Sequence, residues 1–198
     1  MEKIIIATKN KGKAEEFKAF FGKYDLEAIS LLDLSDDIPD VEETGVTFQE
    51  NAILKAETMA NYFGETVLAD DSGLVIDALD GKPGIYSARY AGEPTNDEKN
   101  IAKVLEELAL VPDKQRTARF VCVLAVASPG KDTVTRTGYC NGMITEEMKG
   151  SNGFGYDPIF IPENKKLTMA QLSSKEKNEI SHRRQAMNKL EDWLKNNS

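Results

Sequence analysis

The chain reads as an α/β protein, a mixed β-sheet with helices on its faces. Three observations predict this class. Segments of helical periodicity alternate with short apolar segments along the 198 residues, some of them hairpin-linked. Phe120–Ala127 is an unbroken apolar run, as expected of a strand near the centre of a sheet. Ile4–Ala7 runs through the polar loop Thr8–Lys13 into a helical pattern, a strand–loop–helix unit. The length suits one substantial domain or two small lobes around a cleft.

The elements follow in order. Ile4–Ala7 is a buried strand, and the helix after its loop carries apolar Ala14, Phe17, Phe20 and Phe21. A second helix begins near Thr47, where Thr47 and Glu50 have capping-box spacing. Its apolar stripe is Ile53, Ala56, Ala60 and Phe63, with Asn51 and Lys55 four apart on another face. Short strands at 67–69 and 74–78 flank an acidic turn. Thr95 and Glu98 repeat the capping spacing before Ile101, Val104, Leu105 and Leu108. Thr133–Cys140 alternates and pairs with the central strand after the turn at Pro129-Gly130. A glycine-rich loop, 150–158, leads to a strand at 159–161, and a last helix carries Met187, Leu190, Trp193 and Leu194.

Composition narrows the function. There are 33 acidic residues to 25 basic, a net charge of −8, which disfavours a nucleic-acid partner. No apolar run approaches the roughly 20 residues of a membrane span. Residues 1–7 lack the long apolar region of a signal peptide, so a cytoplasmic location is expected. Cys122 and Cys140 have no metal-like spacing, and Cys122 reads as a core residue.

Five patches carry chemistry. The most informative is Asp70-Asp71-Ser72-Gly73, adjacent carboxylates tolerated best beside a cation or a shared proton; a polar turn uses the same residues. The loop Thr8, Lys9, Asn10, Lys11, Gly12, Lys13 joins a strand to a helix start, where amides and lysines favour phosphate, although it lacks the Walker A pattern and a solvated lysine loop reads alike. Glu42-Glu43 precedes a helix, where the dipole favours acids; with Asp70 and Asp71 these would supply hard oxygen ligands for magnesium. In the glycine-rich loop, Gly153 and Gly155 bracket Phe154, either exposing the ring to stack on a base or letting aromatics plug the core. Asp157 follows, held from helical geometry by Pro158. Finally, if Ser181 caps the last helix, His182, Arg183 and Arg184 occupy its first turn, where cations oppose the dipole; either an anionic or hydrogen-bonding ligand or an exposed basic turn accounts for them. His182 is the only histidine, which excludes a multi-histidine metal centre.

Taken in order, Ala7–Lys13, Glu42–Gly45, Phe48–Ala52, Asp70–Leu74, Pro83–Arg89, Gly153–Pro158 and Ser181–Arg183 resemble the inosine triphosphate pyrophosphatase family, also described as dITP/XTP pyrophosphatases. The match spans nearly the whole chain. The resemblance implies one pyrophosphatase domain over residues 1–198, an elongated mixed sheet with two lobes around a central cleft, and a homodimer. It implies hydrolysis of ITP, dITP and XTP to monophosphate and pyrophosphate with Mg²⁺. By position, Asp71 matches the proposed proton acceptor and metal ligand, and Glu42 the second metal carboxylate, or Glu43 if the alignment slips by one. Thr8 to Lys13 match the triphosphate loop. Ser72, Phe154, Gly155, Tyr156, Asp157, Lys177, His182 and Arg183 match nucleotide-binding positions, with Asn51, Lys55, Asp70 and Arg89 as possible supports.

Elementary chemistry fits the same reading. A triphosphate of about four negative charges needs lysines, helix amides and a divalent ion to share its neutralisation. Hypoxanthine presents a 6-oxo acceptor and an N1–H donor, the reverse of adenine, and buried partners set for one reject the other by factors of about 10⁴. His182, Arg183 and the 154–157 loop are the expected partners. The alternatives are a Maf-like pyrophosphatase for modified nucleotides, a non-catalytic nucleotide-binding module, and a nucleic-acid-associated factor.

Overall fold

A computed structural model describes residues 2–34 and 38–197; Met1, at the head of the N-terminal segment, lies outside them. Strand β1 (Lys3–Ile6) leads into α1 (Lys11–Phe21), then β2 (Glu27–Ser30), α2 (Phe48–Phe63) and β3 (Val67–Ile76). α3 (Asp97–Glu107), β4 (Thr117–Ala127), β5 (Val134–Ile144), β6 (Phe160–Pro162), α4 (Ser174–Ile180) and α5 (His182–Asn197) complete the order. The six strands form one mixed sheet in the order β2-β1-β3-β4-β5-β6. β1 runs parallel to β2, with Ile5 opposite Ile29, and parallel to β3, with Ile6 opposite Leu68. β5 and β6 are antiparallel, with Met143 opposite Ile161. The mixed α/β class is as predicted, and β4 is interior to the sheet as its apolar run requires.

The chain divides into two compact units. One comprises residues 1–71, 123–137 and 186–198; the other comprises residues 72–122 and 138–185. The first buries Ile4, Ile5 and Ile6 of β1, Phe17, Phe20 and Phe21 of α1, and Ala52, Ala56, Met59 and Ala60 of α2. The second has a core of Leu74, Ile76, Ile101, Val104, Leu108, Phe120, Ile159 and Phe160, which also takes in Cys140 and Tyr156.

Several boundaries differ from the sequence reading. The expected turn at Asp70–Gly73 does not exist: β3 is continuous from Val67 to Ile76, because the acids find partners inside the fold and turn propensity is overridden. α1 begins at Lys11, so Gly12 and Lys13 are helical and Gly12 is not a loop hinge; Asn10 is the N-cap, accepting from the Lys13 amide. α3 is capped by Asn96, not Thr95, one residue later than the spacing suggests. On α2 the buried stripe is Ala52, Ala56, Met59 and Ala60, and Ile53 and Phe63 are only half-buried. Asp157 opens a 3₁₀ turn, Asp157–Ile159, with Pro158 second, where its missing N–H costs nothing. The last strand accordingly starts at Phe160. β2 and α4, which lack a strong apolar period, were not anticipated.

Candidate active site

In the first unit, β3 presents the two acids to different helices. Successive side chains on a strand point to opposite faces. Asp70, 2% exposed, takes Lys13 Nζ from the first turn of α1 at 2.7 Å. Asp71, 6% exposed, accepts a hydrogen bond from Asn51 Nδ2 on α2 at 3.2 Å. The adjacent carboxylates thus have different side-chain hydrogen-bond partners, while the charge of Lys55 acts on both.

Asn51 is itself fixed. Its Oδ1 accepts the Gly45 amide at 2.8 Å, and a Cβ on Gly45 would lie 2.6 Å from that oxygen, so the approach requires glycine. One helical turn on, Lys55 Nζ donates to the Asp70 carbonyl at 3.1 Å and pairs with Glu43 at 2.5 Å. Burial and then the Glu43 charge push the Asp71 carboxyl up to about 6, against the pull of Lys55 and Asn51. Burial alone would depress the Lys55 ammonium, but Asp70, Glu43 and Asp71 hold it above its ordinary value.

Glu43 is thus the half-buried acid whose charge Asp71 feels, while Glu42 is exposed. Both share the hard-oxygen chemistry magnesium prefers, and the Glu43 charge that raises the Asp71 carboxyl is one that a nearby divalent cation would offset. These are the oxygen donors that a Mg²⁺ completed by waters and phosphate oxygens would take; among the described residues no three acids, cysteines or histidines are grouped to hold a metal by themselves.

The lysine loop is more ordered than a solvated loop. Thr8 is buried and its hydroxyl oxygen accepts the Asn10 amide at 3.2 Å. Lys9 pairs with Asp40 at 2.5 Å, and Lys11 is exposed at the first position of α1. The amides of that first turn and the helix dipole give this corner a positive end suited to phosphate oxygens.

The second unit holds the groups expected at the base. The Phe154 ring is 38% exposed, with Lys177 Nζ 4.6 Å and the Arg183 guanidinium 5.9 Å from its centre. Tyr156, two residues on, is buried and donates its hydroxyl to the Ser87 carbonyl at 2.8 Å. One aromatic is partly exposed and the other is buried in the core. Asp157 accepts from Lys177 Nζ at 2.5 Å and from the Phe154 amide at 2.9 Å; burial nevertheless raises its carboxyl above the ordinary value. Gly153 has φ +81°, and a side chain there would fall on Asp157 Oδ2.

His182 and Arg183 are buried, which overturns the exposed basic turn. Ser181 Oγ accepts the Arg184 amide, the expected cap, and the His182 ring stacks on Phe120 with centres 5.0 Å apart. Ser72 is half-buried on β3, and Arg89 lies 5.5 Å from the Tyr86 ring at the end of a 3₁₀ segment, Gly84–Arg89. Sequence reasoning missed Phe120, Ser87 and the restraining role of Gly45. Phe120 sits in a run where every residue is apolar, so nothing in its pattern singles it out.

The sequence pattern of the Ham1 family matches residues 4–193. A dITP/XTP pyrophosphatase of Oceanobacillus iheyensis is 64% identical over 194 residues, covering 98% of each chain. Another of the same name, from Halalkalibacterium halodurans, is 56% identical over 98% of this chain and 100% of its own. The Staphylococcus aureus Ham1 protein superposes with a TM-score of 0.90 at 48% identity over the full length of both chains. The family resemblance carried by the motifs is thereby borne out: the chain belongs to the Ham1 family.

Proposed function

We propose that this chain hydrolyses deaminated purine nucleoside triphosphates, ITP, dITP and XTP, to the monophosphate and pyrophosphate, as a magnesium-dependent homodimer of the cytoplasm. The name shared by relatives of 56–64% identity supports the activity. The observation that carries the mechanism is Asp71: a buried carboxyl aimed by Asn51, with its proton affinity raised to about 6. A base poised near the working pH is what activation of water requires. Asp71 takes the proton of the water that attacks the phosphorus next to the sugar, and pyrophosphate departs. Lys13 and the first-turn amides of α1 oppose the charge that accumulates on the phosphates. Mg²⁺, held by Glu43 and neighbouring acids beside Asp71, would supply charge neutralisation and polarise the phosphoryl oxygens.

In the second unit, Phe154 offers a stacking face for the base, and Lys177, His182 and Arg183 offer donors suited to a 6-oxo group. The deciding experiment is pyrophosphate release from ITP, dITP, XTP, ATP and GTP, with and without Mg²⁺. Deaminated purines should be preferred over ATP by a factor of at least ~10², and Asp71→Asn should lower kcat by at least ~10². Equal rates on all five substrates, or an active Asp71→Asn enzyme, would overturn the reading.

A further inference from the structure

A stacking platform is useful only if its ring is held in one pose, and the backbone of this loop does not hold it unaided. Gly153 and Gly155 both lie in left-handed backbone, φ +81° and +58°, a region glycine enters at no steric cost. Lys177 and Arg183 stand over the ring of Phe154, and two hydrogen bonds hold the peptides on either side of it. The Phe154 amide goes to Asp157 within the loop. The next amide, Gly155, donates to Asp97 Oδ2 at 2.7 Å, a partner 58 residues away.

Asp97 is the first residue of α3, and the helix has no need of that carboxylate as a cap. Asn96 already accepts the Lys99 amide at 2.9 Å. The dipole accounts for an acid in this turn, as it does for Glu98, but not for its aim at Gly155. Asp97 is exposed, and an exposed hydrogen bond to one loop amide contributes little to global stability. What it does fix is the plane of the peptide that follows Phe154.

We propose that Asp97 is a positioning residue for oxopurine recognition: its carboxylate pins the Gly155 amide and so orients the Phe154 ring on which the base stacks. The proposal rests on the reading of Phe154 as the base platform. Asp97 acts through that loop, not on the reacting phosphates, so its loss falls on base binding.

The test compares wild type with Asp97→Ala, Asp97→Asn, Asp97→Glu and Phe154→Ala. It reads dITP kinetics, inhibition by inorganic tripolyphosphate, and melting temperature. Asp97→Ala should raise KM for dITP about ten-fold, with kcat within about two-fold of wild type. Tripolyphosphate inhibition should not change. Asp97→Asn, which keeps an acceptor oxygen at the same reach, should restore KM; Asp97→Glu, longer by one methylene, should not. If Asp97→Ala fails to fold, the contrast between Asn and Glu decides. An unchanged KM in Asp97→Ala while Phe154→Ala raises it overturns the proposal alone. So does a loss carried by kcat, or equal impairment of Ala and Asn. An unchanged KM in Phe154→Ala means the platform reading has failed, and the Asp97 role falls with it.

Discussion

Asp71 carries its charge at a cost. Its carboxyl binds a proton more tightly in the fold than in the unfolded chain, whose ordinary value is 3.8 against about 6 here. Between those values the native state holds more protons at this site, so the contribution of Asp71 to stability is fullest below about pH 4 and is lost as pH rises through 6. The shift corresponds to a penalty on the order of 3 kcal/mol at neutral pH. Two outcomes follow for the metal-free protein. Asp71→Asn, neutral and isosteric, should raise the melting temperature at pH 8 by several degrees while lowering kcat by at least ~10². Addition of Mg²⁺ to the wild type at pH 6 should release protons, measurable in weakly buffered solution, and the variant should release fewer. Glu43 and Glu42 separate in the same way: Glu43 acts on Asp71 and pairs with Lys55, while Glu42 stands in solvent. Glu43→Gln should therefore weaken Mg²⁺ activation about ten-fold or more, and Glu42→Gln several-fold less, in a magnesium titration of the rate.

At the scale of elements, the glycine-rich loop and β3 show what local pattern conveys. Gly153→Ala should cost ~1–3 kcal/mol from its positive φ. Its methyl group would also displace Asp157 and with it Lys177; the prediction is a lowered melting temperature and a dITP KM raised more than ten-fold. β4 was legible from its residues because burial on both faces leaves an unbroken apolar run. The helices α1, α2 and α5 were legible from their periods, and the Thr47 cap from its spacing. β3 was not legible. Asp-Asp-Ser-Gly has the composition of a turn, and what makes it strand is Lys13, 57 residues away from Asp70, and Asn51, 20 away from Asp71. The site was legible where it rests on residue identity in long motifs, and illegible where it rests on a single distant contact, as at Asp97 and Gly155 or His182 and Phe120.

For the whole molecule, the net charge of −8 disfavours a long polyanionic partner, and among the described residues no helix is long and apolar enough to cross a membrane. Sedimentation equilibrium should return twice the 21.9 kDa chain mass, and a mass of one chain at micromolar concentration would refute the dimer. The two compact units are interleaved along the sequence, the first drawn from three separate stretches and the second from two. Neither is therefore encoded by one contiguous piece of the gene. A single recombination event cannot lend either unit to another protein, and a nascent chain cannot complete the first unit until residues 186–198 have left the ribosome. Each unit is inherited, and synthesised, only together with the other.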